Sequence, residues 1–410
     1  MNTMKILILG FNVQADVFPL GPAYLKTYAQ LYHPDVEIKI KEFSFGSRYS
    51  YETNKNIELQ ALSYILLTKP DVVAFSSYIW SGEMVKDFAK AIKQINPNII
   101  TVIGGAEVDN NADKEAGVDF VIKGEGEVAF KELLDYLKGE RKLEDIHNLN
   151  NNKTISLENL DELPFPYKIK LKKDYDVVRL ETARGCIFNC NFCHYAQPPL
   201  RYFSLDYLKE NIAYLFKHYT FRNLTLLDAN FNTDKERMFK ILDMIAEYAD
   251  KNLKVHFELR PELVDEESAK KLSFYNFKIV TELGLQSTDK EVLKTANRPT
   301  NLNKVKEALS LLERYHVNYK IDLMYGLPKD NFFKFFESMK FVILNAPTQN
   351  KVVAHHYMQL NNTTFFEDDL TRITPEHSSM VIRTDTQNVL DLYKTKLFID
   401  MINEELKLFK

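Results

Sequence analysis

Cysteine is almost missing from this chain. Its 410 residues hold three, Cys186, Cys190 and Cys193, all inside one short stretch. Thiols so few and so close exclude a disulfide framework and fit a metal-ligand spacing, as in a protein of a reducing, oxygen-poor cytoplasm. Charge of one sign is missing too: 53 basic residues face 57 acidic ones, for a formal net charge of -4. That balance disfavours nucleic acid or an anionic membrane as a partner. The basic run Lys168 to Lys173 lacks aromatic platforms and a second basic element, so it reads as solvated surface. No apolar run reaches the length of a membrane-spanning helix. The apolar start Met4 to Gly10 lacks a small-residue cleavage site and reads as a buried first strand.

What is present is the segment Arg184-Gly185-Cys186-Ile187-Phe188-Asn189-Cys190-Asn191-Phe192-Cys193-His194. Electron carriers hold iron-sulfur clusters with four thiolates, so three leave one iron open to a substrate. The competing reading is structural zinc, with His194 completing a Cys3His set. Adjacent Cys193 and His194 suit one compact tetrahedron poorly, and the second ligand pair of a zinc ribbon is absent. The spacing therefore favours a cluster.

Periodicity divides the chain into two α/β parts. Short apolar runs at Lys5 to Leu9, Glu37 to Glu42, Val72 to Ser76, Ile99 to Ile103 and Phe120 to Ile122 predict parallel strands. Helices fit between them at Gly21 to Tyr32 and Gly82 to Ile95. The expected fold is a flavodoxin- or Rossmann-like parallel sheet over residues 1–145, with ligand contacts at the carboxyl ends of its strands. Those ends read Ser76-Ser77-Tyr78, Gly104-Gly105-Ala106-Glu107 and Gly124-Glu125-Gly126-Glu127; alternatively, the glycines merely make tight turns. Residues 146–175 read as a linker, with Asn148 to Lys153 an exposed loop and Pro164 and Pro166 keeping the chain extended. From 176 to 365 the alternation resumes: strands at Val177 to Thr182, Asn223 to Leu227, Lys254 to Glu258, Ile279 to Leu285, Tyr319 to Met324 and Val352 to Gln359. About six βα units are too few for an eight-stranded barrel and predict a partial (βα)6 barrel. Residues 366–410 read as a loop and a helix from Gln387 to Leu408 packed on that barrel.

C-x3-C-x2-C with Phe192 before the last cysteine resembles the signature of radical S-adenosylmethionine (SAM) enzymes. The resemblance implies a [4Fe-4S] cluster on Cys186, Cys190 and Cys193, reductive cleavage of SAM to a 5'-deoxyadenosyl radical, and a dry cavity for that radical. Phe192, His194 and Tyr195 match the wall beside adenine. Asp228 matches the contact to the methionyl amino group, Glu258 and Arg260 the strand at the ribose and carboxylate, and Glu282 a recurrent fourth-strand motif. Gly326 and Leu327 match the fifth-strand segment that cradles adenine. Taken singly, Glu282 also fits an ion-paired barrel residue and Gly326-Leu327-Pro328 an ordinary turn.

The strand ends of the first part, together with Phe18-Pro19-Leu20-Gly21-Pro22, resemble the cobalamin-binding domain that precedes the barrel in one class of these enzymes. That resemblance places the corrin against Leu20, Ser76, Ser77, Tyr78, Gly104, Gly105, Glu107, Gly124, Glu125 and Gly126. The chain departs from the Asp-x-His-x-x-Gly motif, since Asn12 to Asp16 contains no histidine, so no lower histidine ligand is expected. The implied activity is cobalamin-dependent methylation of an unactivated carbon, in a branch that resembles uncharacterised proteins of anaerobes. An external donor such as flavodoxin or ferredoxin would supply electrons, and the substrate is unknown. Cobalamin-independent oxidation, epimerisation or rearrangement is the first alternative, and a non-catalytic iron-sulfur or corrinoid-binding protein the second. Methylthiotransferases carry further cluster cysteines that this chain lacks. His355, of which alternation lets only one of the pair with His356 face the cavity, and the aromatics Trp80, Tyr202 and Tyr325 are weaker candidates explained equally by packing.

Overall fold

In the computed structural model, which describes residues 3–13, 17–44, 51–108, 117–150, 152–169, 171–196, 198–348, 352–367, 371–373 and 380–408, the chain divides into two units, Met1–Asp176 and Val177–Lys410. The first is built on strands β1 (Lys5–Asn12), β2 (Glu37–Ser44), β3 (Val72–Ser76), β4 (Ile100–Gly104) and β5 (Phe120–Ile122). They are parallel, in the order β2-β1-β3-β4-β5, the flavodoxin-like order with its topological switch between β1 and β3. Strand β1 is apolar on both faces because helices cover both. On one face Leu7, Leu9, Phe11, Val73 and Phe75 meet Ala61 and Ile65 of α2 (Tyr51–Thr68) and Phe88 and Ile92 of α3 (Gly82–Ile95). On the other, Ile6, Ile8, Val72 and Ala74 meet Ala29 of α1 (Leu20–Tyr32) and Phe130, Leu133 and Leu134 of α4 (Glu127–Leu137).

Asn148, Leu149, Asn150 and Asn152 are not exposed as their composition suggests, whereas Lys153 is. Asn148 is only 1% exposed and Leu149 is buried, forming an antiparallel bridge to Ile122 at the edge of the sheet. The Asn148 amide donates to the carbonyls of Glu125 (2.7 Å) and Ile155 (2.9 Å) and accepts from the Ile155 N–H (2.6 Å). Asn150 receives the Val121 N–H on its side-chain oxygen. The asparagines serve the backbone, satisfying polar groups that burial would otherwise strand. The proline-rich stretch that follows is extended between two single 3-10 turns, Leu160–Glu162 and Pro166–Lys168. It is also core: Leu160, Leu163, Phe165 and Tyr167 are buried, and the Tyr167 ring stacks on Phe18 at 3.9 Å.

The second unit is a sheet of six parallel strands in chain order: β6 (Val177–Leu180), β9 (Asn223–Leu226), β10 (Lys254–Leu259), β11 (Lys278–Gln286), β12 (Tyr319–Tyr325) and β13 (Val353–His356). Strands β6 and β13 stay unpaired to each other, leaving the barrel partial. A short hairpin, β7 (Ala183–Arg184) with β8 (Arg201–Tyr202), brackets the cysteines. Helices α5 (Leu205–His218), α6 (Lys235–Ala246), α7 (Glu266–Leu272), α8 (Lys290–Thr295), α9 (Leu302–Arg314) and α10 (Phe332–Asn345) alternate with the strands. Each begins at a Ser, Asp or Asn whose side chain accepts a backbone N–H: Ser204, Asp234, Asp265, Asp289, Asn301 and Asn331.

Beyond residue 366 the structure departs from the expected loop. Strands β14 (Thr371–Ile373) and β15 (Val381–Thr384) form an antiparallel pair before α11 (Val389–Leu408). Leu392, Thr395 and Ile399 of α11 are buried, and Phe398 meets Phe332 and Phe336 of α10 at 5.3 and 5.9 Å.

Candidate active site

The cysteine loop has little regular structure and is held by its neighbours. Asn191 donates from its backbone to the Ala296 carbonyl (3.0 Å) and from its side chain to that of Thr295 (2.9 Å). Its own carbonyl accepts from the Phe365 N–H, and Asn297 donates to the Asn189 carbonyl (2.6 Å). Cys190 is buried at 8% exposure, while Cys186 and Cys193 are half-buried. Burial pushes the Cys193 thiol up to about 11, reinforced by the charges of Cys190, Cys186 and Glu258 and opposed by the Tyr195 N–H. Burial also raises Cys186, against the Phe188 N–H and the positive charges of Arg260 and Arg298. Among the described residues no three His, Cys, Asp or Glu side chains converge on a point able to hold one metal ion.

Four elements bring the other expected residues to the same ends of the strands. Arg260, at the end of β10, is 6% exposed, with its guanidinium 4.0 Å over the Phe188 ring. It pairs with Glu262 at 3.3 Å and donates to the Pro299 carbonyl, yet its Nη1 is buried with no hydrogen-bond partner. The buried Nε of Arg298 and Nε2 of half-buried His194 are also unpartnered. Such orphaned donors suit an anionic or polar ligand that completes them. Phe192 and Met324 pack against the buried cluster that contains Leu327, Val292 and Ala296. Tyr195 is exposed; its contribution to the loop is the backbone N–H. Gly326 follows β12 and lies against His356 and Leu392.

The inner face of the sheet is polar, where alternation puts His256 and Glu258 of β10, Glu282 of β11, Lys320 and Asp322 of β12 and His355 of β13. Glu282 stands 2.8 Å from His256 Nε2 and pairs with Lys320. Burial alone would raise its carboxyl, but the bonds from His256, Asp322 and Lys320 hold it well below the usual carboxylate range. Glu258, on this face, is pushed up to about 7 by desolvation and by the charges of Glu282 and Asp322. Asp322 is raised by burial and by Glu282, with His355 3.4 Å away. His356 turns to the other side and stacks on Tyr325 at 4.9 Å. At Gly284 and Gln286 the register of β11 shifts, and Gln286 takes a φ of 68°, a bulge that re-aims the strand end.

Asp228 sits apart from this ladder, in a cleft with Cys186, Tyr202, Asn230 and Arg237. Thr182 donates its hydroxyl (2.7 Å) and its N–H (3.3 Å) to the carboxylate. Burial outweighs both bonds and raises Asp228 to about 7. Tyr202 carries the Arg237 guanidinium 4.5 Å over its ring, a packing role. Thr182 and Arg298 were not singled out by the sequence: Arg298 meets Cys190 across 108 positions, a separation at which no local pattern carries a signal.

In the first unit, Ser76, Ser77, Gly104 and Gly105 come together at the ends of β3 and β4. The Ser77 N–H donates to the Gly104 carbonyl (2.7 Å), and the Glu107 N–H to the Ser77 carbonyl (3.3 Å). Gly105 has a φ of 117°, and a Cβ there would lie 2.3 Å from the Ser77 carbonyl oxygen. The Ser77 hydroxyl is buried and unpartnered. The Tyr78 hydroxyl approaches Gly21 at the start of α1, beside buried Leu20, and its ring stacks on Trp80 at 4.8 Å. Trp80 is itself fixed by a bond to the Phe11 carbonyl (2.7 Å). Gly124, Glu125 and Gly126 follow edge strand β5, where Glu125 accepts the Asn148 amide on its carbonyl and the Leu157 N–H on its carboxylate. Asn12 ends β1 and Val13 follows it; Gln14 to Asp16 lie outside the described residues.

Residues 180–342 match the radical SAM superfamily and residues 6–134 the B12 binding domain. The chain thus carries a radical SAM domain preceded by a B12 binding domain. It is 27% identical over 362 residues to the cobalamin-dependent radical SAM methyltransferase TokK of Streptomyces tokunonensis, a match covering 80% of this chain and 51% of that protein. It is 30% identical over 273 residues to an uncharacterized methyltransferase of Pyrococcus horikoshii, covering 59% of this chain and 57% of that one. The chain thus spans little more than half the length of these relatives. In fold it resembles the cobalamin-dependent SAM radical enzyme OxsB, with a TM-score of 0.73 at 15% identity over 96% of this chain and 66% of that one.

Proposed function

We propose that this protein is a cobalamin-dependent radical SAM methyltransferase acting on an unactivated carbon. The observation that carries the reading is the pinned three-thiol loop beside buried, unpartnered arginine donors and a polar inner face, in a chain that also matches the B12 binding domain. Cys186, Cys190 and Cys193 would hold the [4Fe-4S] cluster. When bound, the cluster supplies the electron that cleaves SAM, and cobalamin supplies a methyl carrier. The free Nη1 of Arg260 takes the SAM carboxylate, and Asp228 its ammonium. Glu258 and Glu282 address the ribose side, while Phe192, His194, Tyr195, Gly326 and Leu327 enclose the adenine. Packed aromatic and aliphatic walls exclude water from a reactive radical.

In the first unit the ends of β3 and β4 would hold the corrin, with the Ser77 hydroxyl available to it and Gly104 and Gly105 permitting close approach. Leu20, Ser76, Tyr78 and Glu107 complete its surroundings, and Gly124, Glu125 and Gly126 border them. A flavodoxin or ferredoxin of the cytoplasm supplies electrons. No helix among the described residues is long and apolar enough to cross a membrane.

Product analysis after anaerobic reconstitution tests this. With the true substrate, S-adenosylhomocysteine and 5'-deoxyadenosine should form in about equal amounts per methyl transferred. Substrate-dependent 5'-deoxyadenosine without S-adenosylhomocysteine or a methyl mass gain would rule methylation out and favour a cobalamin-independent reaction. Replacing Cys190 by Ala should abolish iron binding and SAM cleavage while leaving the circular dichroism unchanged. Full iron content in that variant would sink the cluster assignment.

A further inference from the structure

Arg298 spans two parts of the site with one planar group. Its Nη1 lies 3.7 Å from Cys190 Sγ, and its Nη2 donates to the Gly284 carbonyl on β11. Gly284 makes that approach possible, because a Cβ there would stand 3.1 Å from Nη2. The same guanidinium has no carboxylate partner among the described residues, unlike Arg260, whose charge is offset by Glu262 at 3.3 Å. A guanidinium stays protonated throughout the accessible pH range and loses little hydration on partial burial. Arg298 therefore sets a permanent, uncompensated positive charge and an N–H donor against the most buried of the three sulfurs.

We propose that Arg298 is a positioning residue that sets the reduction potential of the cluster held by these cysteines; the proposal rests on the cluster assignment made above. The step concerned is uptake of one electron from an external donor, with no bond made or broken. Reduction adds a negative charge to the cluster, and a neighbouring cation with a hydrogen bond to a sulfur favours the reduced form. Net charge, hydrogen bonds to sulfur and solvent exposure are the properties that set such potentials. Without Arg298 the cluster becomes harder to reduce, and an ordinary biological donor fills a smaller fraction of it.

The test is an anaerobic redox titration of the reconstituted full chain, followed by electron paramagnetic resonance without SAM, for wild type, Arg298→Lys and Arg298→Gln. Iron and sulfide content should match wild type in both variants. At the wild-type midpoint, the reduced-to-oxidised ratio of Arg298→Gln should fall about tenfold, equivalent to about 59 mV for one electron. Arg298→Lys keeps the charge but loses the fork and should fall less. A purely structural role would lower cluster content while the loaded fraction kept its midpoint, and that result overturns the proposal. So do equal shifts in the two variants. Should Arg298→Gln fail to fold, Gly284→Ala presses Nη2 back with the arginine still present. Its midpoint should fall in the same direction, and an unchanged value overturns the proposal. A wild-type chain that takes up no iron and sulfide overturns both this inference and the cluster assignment, whereas a loaded wild type with an unmoved Arg298→Gln midpoint overturns this inference alone.

Discussion

Under the proposed function, Asp228 would serve stability and binding with opposite signs. Its carboxyl rises from 3.8 to about 7 on folding, so the folded chain keeps a proton that the unfolded chain releases. The stability this contributes is complete below about pH 4 and is lost as pH rises toward and through about 7. Asn at this position can accept the Thr182 N–H and donate to the Thr182 hydroxyl, keeping both contacts without the charge. Relative to wild type, Asp228→Asn should therefore gain on the order of 1–3 kcal/mol between pH 5 and pH 8. Urea unfolding at the two pH values measures it. The same variant should bind SAM more weakly, since the ammonium loses its carboxylate; a difference in stability that does not change with pH would show that Asp228 is charged in both states. Its position was legible in the motif that follows β9, because that signal is local. Thr182, which decides what surrounds the carboxylate, stands 46 positions away.

At the scale of elements, the strand periodicity came through where one or both faces are buried, as in Val72–Ser76 and Phe120–Ile122, whose bounds coincide with expectation. It failed where polar side chains bond to backbone. Asn148 to Lys153 reads as a solvated turn, since composition cannot tell an asparagine facing water from one facing carbonyls. The β14 and β15 pair was likewise invisible, being three and four residues long. Asn148→Ala would remove three part-buried hydrogen bonds and leave the Glu125 and Ile155 carbonyls and the Ile155 N–H without it. We expect a loss of about 3 kcal/mol, read from the urea midpoint, with faster proteolysis between residues 141 and 158. A loss within about 0.5 kcal/mol would mean that water replaces the side chain.

For the whole molecule, the first unit runs on to Asp176, because the stretch 146–175, expected to link the units, contributes Leu149, Leu160, Leu163, Phe165 and Tyr167 to the first core. Each buried side chain of this kind is worth about 2 kcal/mol. A fragment of residues 1–176 should unfold cooperatively in urea, and one of residues 1–145 should be largely unfolded or aggregated. Equal midpoints for the two would refute the assignment of that stretch to the core. The polar inner face of the second unit sets a different kind of boundary. In a closed eight-stranded barrel the interior is packed with aliphatic side chains, and every change there tests the fold. Here Phe257, Leu283 and Leu323 on the outer face carry the packing, while Glu258, Lys320 and His355 face the opening. Folding and selectivity are written on opposite sides of the same strands, so a lineage, or a protein engineer, can exchange inner residues other than Glu258 and Glu282 for a new substrate without first finding stability to spare.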